Sequence, residues 1–574
     1  MKLWTRLFLR MDLDLLNGYH LQGDMYPLEK DDQPESLRSE VLVYNRLGLG
    51  SIDPFRVYPS TLAPEKVQGC LEYRLSVMTP RMIPSSGVKN PYLDAWLPAS
   101  MHSPMLFSAL LLSSLTHKRM RSLVRGEQGL YDSFVDDSFL FLCQQEARLR
   151  VNAALRQYDS AVADATILSV AMMIEAAGAP EGRDWTAESP LTPPLQGLQW
   201  LNIHGARLPN MEHQAGLCKL VKLKGGLQNI KTPGAASAIF YRTLVNSTLT
   251  LSRPQIPFFS VYGHEVSDLA FNFDYDPLQF EYETLEFVQM GLSPELAFAF
   301  QGMKMYTSAI QEYINGEIGG FDPRLICDLR NLVHFHVLAL PPANQLHTSQ
   351  HGPLYEACRI SALIYSTGVL FPIPAVGSPH GRLATLLQQE LADTNFYDKS
   401  ATGGNHNFLV WISAMGSVAA SNSLERRWFV QKLAELNSHM SISHWNGLKL
   451  ILKSILWLDC ACDKAGEELW EDISASTMLP NAPGSHRYSS RPQPCLHCSR
   501  RRVKCDKQIP CENCVKHELA CTYNSSSGGI PARSQVLVGS GKTHVCELCK
   551  RRKVKCNGER PCRGCARLGV TCSD

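Results

Sequence analysis

The C-terminal end of the chain repeats one spacing of six cysteines, and this constrains the fold more tightly than any other feature. The first copy runs Cys495-x2-Cys498-x6-Cys505-x5-Cys511-x2-Cys514-x6-Cys521, the second Cys546-x2-Cys549-x6-Cys556-x5-Cys562-x2-Cys565-x6-Cys572. Every cysteine of the second lies 51 residues after its counterpart, and Arg500/Arg551, Arg501/Arg552, Val503/Val554, Lys504/Lys555 and Pro510/Pro561 repeat in the same register. The two segments are an internal duplication. Each spans 27 residues, too few to bury a core of their own. Metal is the expected staple, because zinc takes four tetrahedral ligands and thiolate sulfur suits it. Two zinc ions need eight ligand positions, and six sulfurs fill them when two thiolates are shared. The expectation is two ions per copy and four per chain, with binding free energy serving as folding energy. A purely structural zinc knob and a disulfide framework are the competing readings. The disulfide reading is disfavoured in a chain whose N-terminal apolar residues are interrupted by Arg10, Asp12 and Asp14, and so form no clean secretory leader.

Between the second and third cysteines of each copy lies a basic run: Arg500, Arg501, Arg502 and Lys504 in the first, Lys550, Arg551, Arg552, Lys553 and Lys555 in the second. On a short helix these side chains present positive charge to phosphates, and their long donors can reach guanine O6 and N7 in the major groove. They also favour the thiolate form of the neighbouring cysteines. A solvated charge run or a nuclear-import signal is the plainer reading of such residues alone.

Twelve cysteines in this register, with basic residues after the second of each six, resemble the fungal zinc binuclear cluster family, a six-cysteine DNA-binding domain. The resemblance implies that Cys495 and Cys511 bridge the two metals in the first copy, and Cys546 and Cys562 in the second. It also implies a helix that enters the major groove and reads a CGG-like triplet. Lys553 occupies the position that usually carries a base-reading lysine. Arg502 departs from that pattern but can also pair bidentately with guanine. Ser499 replaces a usual basic residue, so the first copy is expected to read bases more weakly or differently.

The rest of the chain has another character. Residues 491–574 carry 17 Lys+Arg against 6 Asp+Glu, whereas residues 1–490 carry 39 against 48. A net charge of +2 therefore conceals a basic tail on a mildly acidic body. From about 65 to 475 apolar residues recur at three- and four-residue steps, as in Cys218–Lys224 and Leu448–Leu458, and strand-like alternation is scarce. Breaks rich in Pro or Gly are expected at 178–198, 340–353 and 371–382. The fold class expected is mostly α: a large all-α regulatory domain plus two small zinc-stabilised binuclear cluster modules. Residues 1–49 are left unassigned, 50–475 form the helical domain, 476–494 a linker, 495–521 and 546–572 the clusters, and 522–545 a second linker. The apolar runs Met105–Leu115 and Phe408–Ala420 are too short for membrane spans and read as core helices.

Several body segments resemble the fungus-specific transcription factor domain of the same regulators. They are Asp53–Leu62, Asn90–Pro98, the helix from Pro104 to His117, His213–Leu227 with Gly225-Gly226, Arg253-Pro254 and Glu425–Val430. That resemblance implies a regulatory helical domain; a helical scaffold without a ligand is the plainer reading. The family's usual order is one N-terminal cluster followed by a dimerising coiled coil. Here both copies lie at the C-terminal end, and 522–545 shows no heptad run. A flexible 24-residue tether would instead let one chain hold two half-sites, its root-mean-square reach being ~27 Å.

Weaker signals point elsewhere and are declined. Gly541-Lys542-Thr543 lacks the first glycine of a phosphate-binding loop, which Val536 replaces, and no helix follows it. His334-x-His336 and His347-x3-His351 read as ordinary histidines, and Cys460 and Cys462 should point to different faces of a helix. Asp463 to Asp472, with Leu469 and Trp470, is either a solvated final helix or an acidic activation segment. No nucleophile–base constellation supports an enzyme. The function expected is a nuclear transcription factor that binds double-stranded DNA at CGG-like half-sites. It would regulate a metabolic or secondary-metabolite gene set with transcriptional coregulators, without membrane contact and with its oligomeric state open. The competing class is a zinc-containing interaction protein that binds proteins or nucleic acid without base specificity.

Overall fold

A computed structural model describes residues 58–478, apart from 83–89, 127–136, 175–183, 262–275, 316–322, 347–353, 394–405 and 422, together with Lys516. The chain divides into two compact units, Met1–Pro480 and Asn481–Asp574. Among the described residues the first unit is built from helices and turns, with no strand. Its longer helices are α1 (Pro64–Tyr73), α2 (Pro104–Arg125), α3 (Asp137–Ala154), α4 (Asp164–Ile174), α5 (Met211–Leu223), α6 (Ala235–Thr250), α7 (Pro277–Gln289) and α8 (Pro294–Asn315). They continue with α9 (Pro323–Ala339), α10 (Tyr355–Tyr365), α11 (His380–Asp393), α12 (His406–Ala419), α13 (Glu425–His439), α14 (Trp445–Ile455) and α15 (Asp459–Met478).

Local chemistry sets the ends of these helices. Ser103 caps α2 by accepting from the Leu106 amide at 3.3 Å, with Pro104 in the first turn where its missing N–H costs nothing. The helix stops at Gly126, whose φ of 69° is accessible to glycine without a Cβ penalty. Asn210 and Asp276 cap α5 and α7 in the same way. α2 and α12 are buried on nearly every face, which makes them the two centres of packing. Around α2 lie α1, α3 and α4; α4 also meets α5 and α6, and α6 meets α9. Around α12 lie α10, α11, α13, α14 and α15, while α8 bridges α7 and α9. One continuous apolar core results. Its indoles are also satisfied: Trp96 Nε1 donates to Pro233 O at 2.8 Å, Trp200 Nε1 to Met78 O at 2.8 Å, and Trp411 Nε1 to Leu456 O at 2.7 Å.

The all-α expectation holds, and three boundaries move. The helix expected to end at His117 runs on to Arg125. The break expected over 371–382 closes early, with α11 starting at His380. The apolar run to Leu458 is not one helix: α14 ends at Ile455, and Leu456 is extended at φ −157° and ψ 117°. Leu456, Trp457 and Leu458 are nonetheless buried, so burial carries the apolar pattern across a break that periodicity does not reveal. No helix among the described residues is long and apolar enough to cross a membrane.

Candidate metal and nucleic-acid site

The twelve cysteines and the basic runs lie outside the described residues; between them Lys516 is described, as an exposed helical residue. The body shows what its own donors can and cannot do. Burial pushes the Cys70 thiol up to about 12 and Cys218 up to about 11, and raises Cys143, Cys358 and Cys462 further still. Such groups stay protonated thiols and behave as small apolar fillers, because metal binding and nucleophilic attack both require the thiolate. Cys460 is exposed and Cys462 buried on α15, on different faces as their spacing predicts. Among the described residues no three His, Cys, Asp or Glu side chains gather into a metal-holding group.

The His334–His336 pair is not a chelate. His334 uses both ring nitrogens inside the core: Nδ1 lies 2.8 Å from Ser366 Oγ and Nε2 lies 2.8 Å from Thr248 Oγ1. Its ring stacks on Phe371 at 4.2 Å, and burial lowers its pKa to about 3. His336 instead meets the edge of Phe298. His347, His351 and Gly541–Thr543 lie outside the described residues.

The acidic segment 463–472 belongs to α15 and is tied to the body. Asp463 pairs with Lys449 at 2.7 Å and accepts from Trp457 Nε1 at 2.9 Å; Asp472 pairs with Arg426 at 2.7 Å. Leu469 is fully buried and Trp470 partly so. Glu467, Glu468 and Glu471 are exposed on the same helix, so the reading as a solvated final helix describes the segment, with Asp463 and Asp472 tying it to the body.

Sequence reasoning missed the main polar centre of the body. Arg330 on α9 is fully buried and meets no carboxylate among the described residues. Its guanidinium donates to Gln199 Oε1 at 2.5 Å, to Leu198 O at 2.9 Å and to Asn331 Oδ1 at 3.2 Å, and lies over the rings of Phe371 at 5.1 Å and Tyr241 at 5.6 Å. These contacts hold Gln199 and Trp200 in left-handed backbone at φ 55° and 57°, helped by Tyr241 Oη donating to Gln199 O at 3.1 Å. Carbonyl acceptors and ring faces stabilise this charge in place of an anion. A lone arginine inside a helical period carries no sequence signal of that role.

Comparison with known proteins bears directly on the cysteine segments. Residues 493–529 and 544–573 match the fungal Zn(2)-Cys(6) binuclear cluster domain. The chain carries a zinc-cluster domain. Transcription factor asR3 of Sarocladium schorii is 38% identical over 42 residues, 7% of this chain and 5% of that protein. The Zn(2)-C6 fungal-type transcription factor pigI of Monascus ruber is 39% identical over 56 residues, 9% and 7% of the two chains. An uncharacterized transcriptional regulatory protein of Schizosaccharomyces pombe is 54% identical over 33 residues, 6% of each. The chain thus covers less than a tenth of these relatives' own length. No solved structure matches it. The zinc-cluster domain implies zinc binding, for which an all-sulfur donor set beside basic residues is well suited.

Proposed function

We propose that this chain is a nuclear, zinc-dependent regulator of transcription that binds double-stranded DNA through its two cysteine segments. The observation that carries the reading is the duplication itself, in which basic residues repeat in register with six cysteines. The family match over the same two stretches supports it. Each segment would hold two zinc ions through its six sulfurs, with Cys495 and Cys511, and Cys546 and Cys562, shared between metals. When bound, zinc supplies the fold of the segment. The protein's cations do the recognition: Arg500, Arg501, Lys504, Lys550, Arg551, Arg552 and Lys555 neutralise phosphates, while Arg502 and Lys553 read guanine edges. The printed names of asR3 and pigI as transcription factors are consistent with a regulatory role, which we extend to a metabolic or secondary-metabolite gene set. The helical body would carry regulation and coregulator contacts.

Two substitutions separate the roles. Cys556→Ala should remove zinc from the second segment and abolish its DNA binding. Lys553→Ala should leave zinc bound while costing about 1–3 kcal/mol of base discrimination, read as a flattened preference among variant duplexes. Unchanged preference in Lys553→Ala, with zinc content intact, would count against that residue's role. Steep salt dependence without any sequence preference would favour the reading as an interaction protein.

A further inference from the structure

Two helices of the body turn apolar stripes to the outside, and their flanking charges are opposite. On α7 the residues Phe280 and Phe287 are buried, while Leu278, Tyr282 and Leu285 on the other side are 74%, 66% and 54% exposed. Positions i, i+4 and i+7 fall on one face of a helix, so these three form a continuous stripe of the kind that docks against another helix or into a groove. Exposed Glu281 and Glu286 border it on either side, and neither joins an ion pair among the described residues. The charge is regional: residues 254–303 contain eight Asp or Glu and no Lys or Arg. On α3 the residues Phe139, Cys143, Ala147 and Val151 face the core. Phe141, Leu142 and Leu149 are turned outward at 57%, 52% and 67% exposure. Exposed Arg148 lies on α3 beside this second stripe and exposed Arg156 follows in the turn two residues after the helix ends, whereas the α3 carboxylate Glu146 is already held by Arg150 at 2.6 Å.

We infer that α7 of one copy of this chain docks on α3 of a second copy. Apolar stripe meets apolar stripe, and Glu281 and Glu286 meet Arg148 and Arg156. The charges select this occupant. Pairing α7 with α7 would oppose like carboxylates, and pairing α3 with α3 would oppose like guanidiniums, so each stripe complements the other and not itself. In a two-fold pair both contacts form at once. Six large side chains at each of the two contacts together bury an area on the order of the 1,200–2,000 Å² of stable interfaces. The inference concerns the body alone and does not depend on the proposed DNA binding.

The test uses the full zinc-loaded chain and two double variants, Arg148→Glu/Arg156→Glu and Glu281→Lys/Glu286→Lys. All four side chains are exposed, and unchanged melting would confirm that each variant folds. Sedimentation should show the unmodified chain associating at micromolar concentration, less so at higher salt. Each double variant alone should associate at least ~10-fold more weakly, because its two contacts oppose like charges. An equimolar mixture should associate again, since one contact is then native and the other reversed in both partners. Tyr282→Ala should weaken association without altering its salt dependence. A chain that stays monomeric up to ~50 µM would overturn the inference, as would association that neither double variant weakens or a mixture that fails to recover.

Discussion

The helical body and the cysteine tail represent two solutions to the problem of fixing a chain in one conformation. The body buries Leu, Ile, Phe and Trp on fifteen helices of ten or more residues among those described, and α2 and α12 are enclosed on nearly all sides. Its free cysteines are mostly buried, as protonated fillers. The tail has twelve cysteines, 17 Lys or Arg and few large apolar residues between 491 and 574, so apolar burial cannot be what orders it. On the proposed reading the same residue type has opposite uses in one chain. A cysteine scattered among apolar neighbours has its pKa raised and becomes inert, whereas a cysteine at ligand spacing beside arginines is favoured as thiolate and becomes a metal donor.

The sharpest way to break this comparison is to remove the metal. Chelation should unfold the tail and abolish DNA binding, since zinc contributes on the order of 10–16 kcal/mol to such modules. The body should keep its helical circular dichroism and its melting temperature; loss of both would show that the two regions do not rest on separate physics. The converse experiment is Trp411→Ala. It removes a fully buried indole and leaves Leu456 O without its donor, which should cost the body about 3–5 kcal/mol while zinc content stays unchanged.

A smaller effect is a pH dependence confined to the body. Burial lowers His334 to about 3 and His380 to about 4, from 6.5 for the free side chain. The folded chain keeps both rings neutral, so below pH 6.5 the unfolded chain binds protons that the fold refuses. Stability present above 6.5 should fall as the pH drops towards about 4, at up to about 1.4 kcal/mol per pH unit for each histidine. Denaturant melts of the wild type and His334→Gln should differ in that slope between pH 6 and 4; equal slopes would remove His334 from the account.

The sequence revealed some of these features more readily than others, for physical reasons. Helical period marked α5, which turns a regular set of apolar residues inward, whereas α12 was marked as an apolar run too short for a membrane span and is buried on nearly every face. The end of α14 was hidden, because Leu456, Trp457 and Leu458 are buried in both a helical and an extended backbone and so look the same to a periodicity argument. Arg330 was hidden for the opposite reason: its acceptors, Leu198 O, Gln199 Oε1 and Asn331 Oδ1, are a distant carbonyl and two neutral amides, none of which reads as a partner for a charge. The zinc-cluster segments were legible because ligand spacing is a local property that needs no tertiary contact to be recognised.

The most direct measurement is selection of binding sites from random duplex DNA by the full, zinc-loaded chain at near-physiological salt. The account predicts recovery of paired CGG-like triplets at a spacing that the 24-residue segment 522–545 can bridge. An unenriched pool, with zinc confirmed bound to the chain, would contradict it.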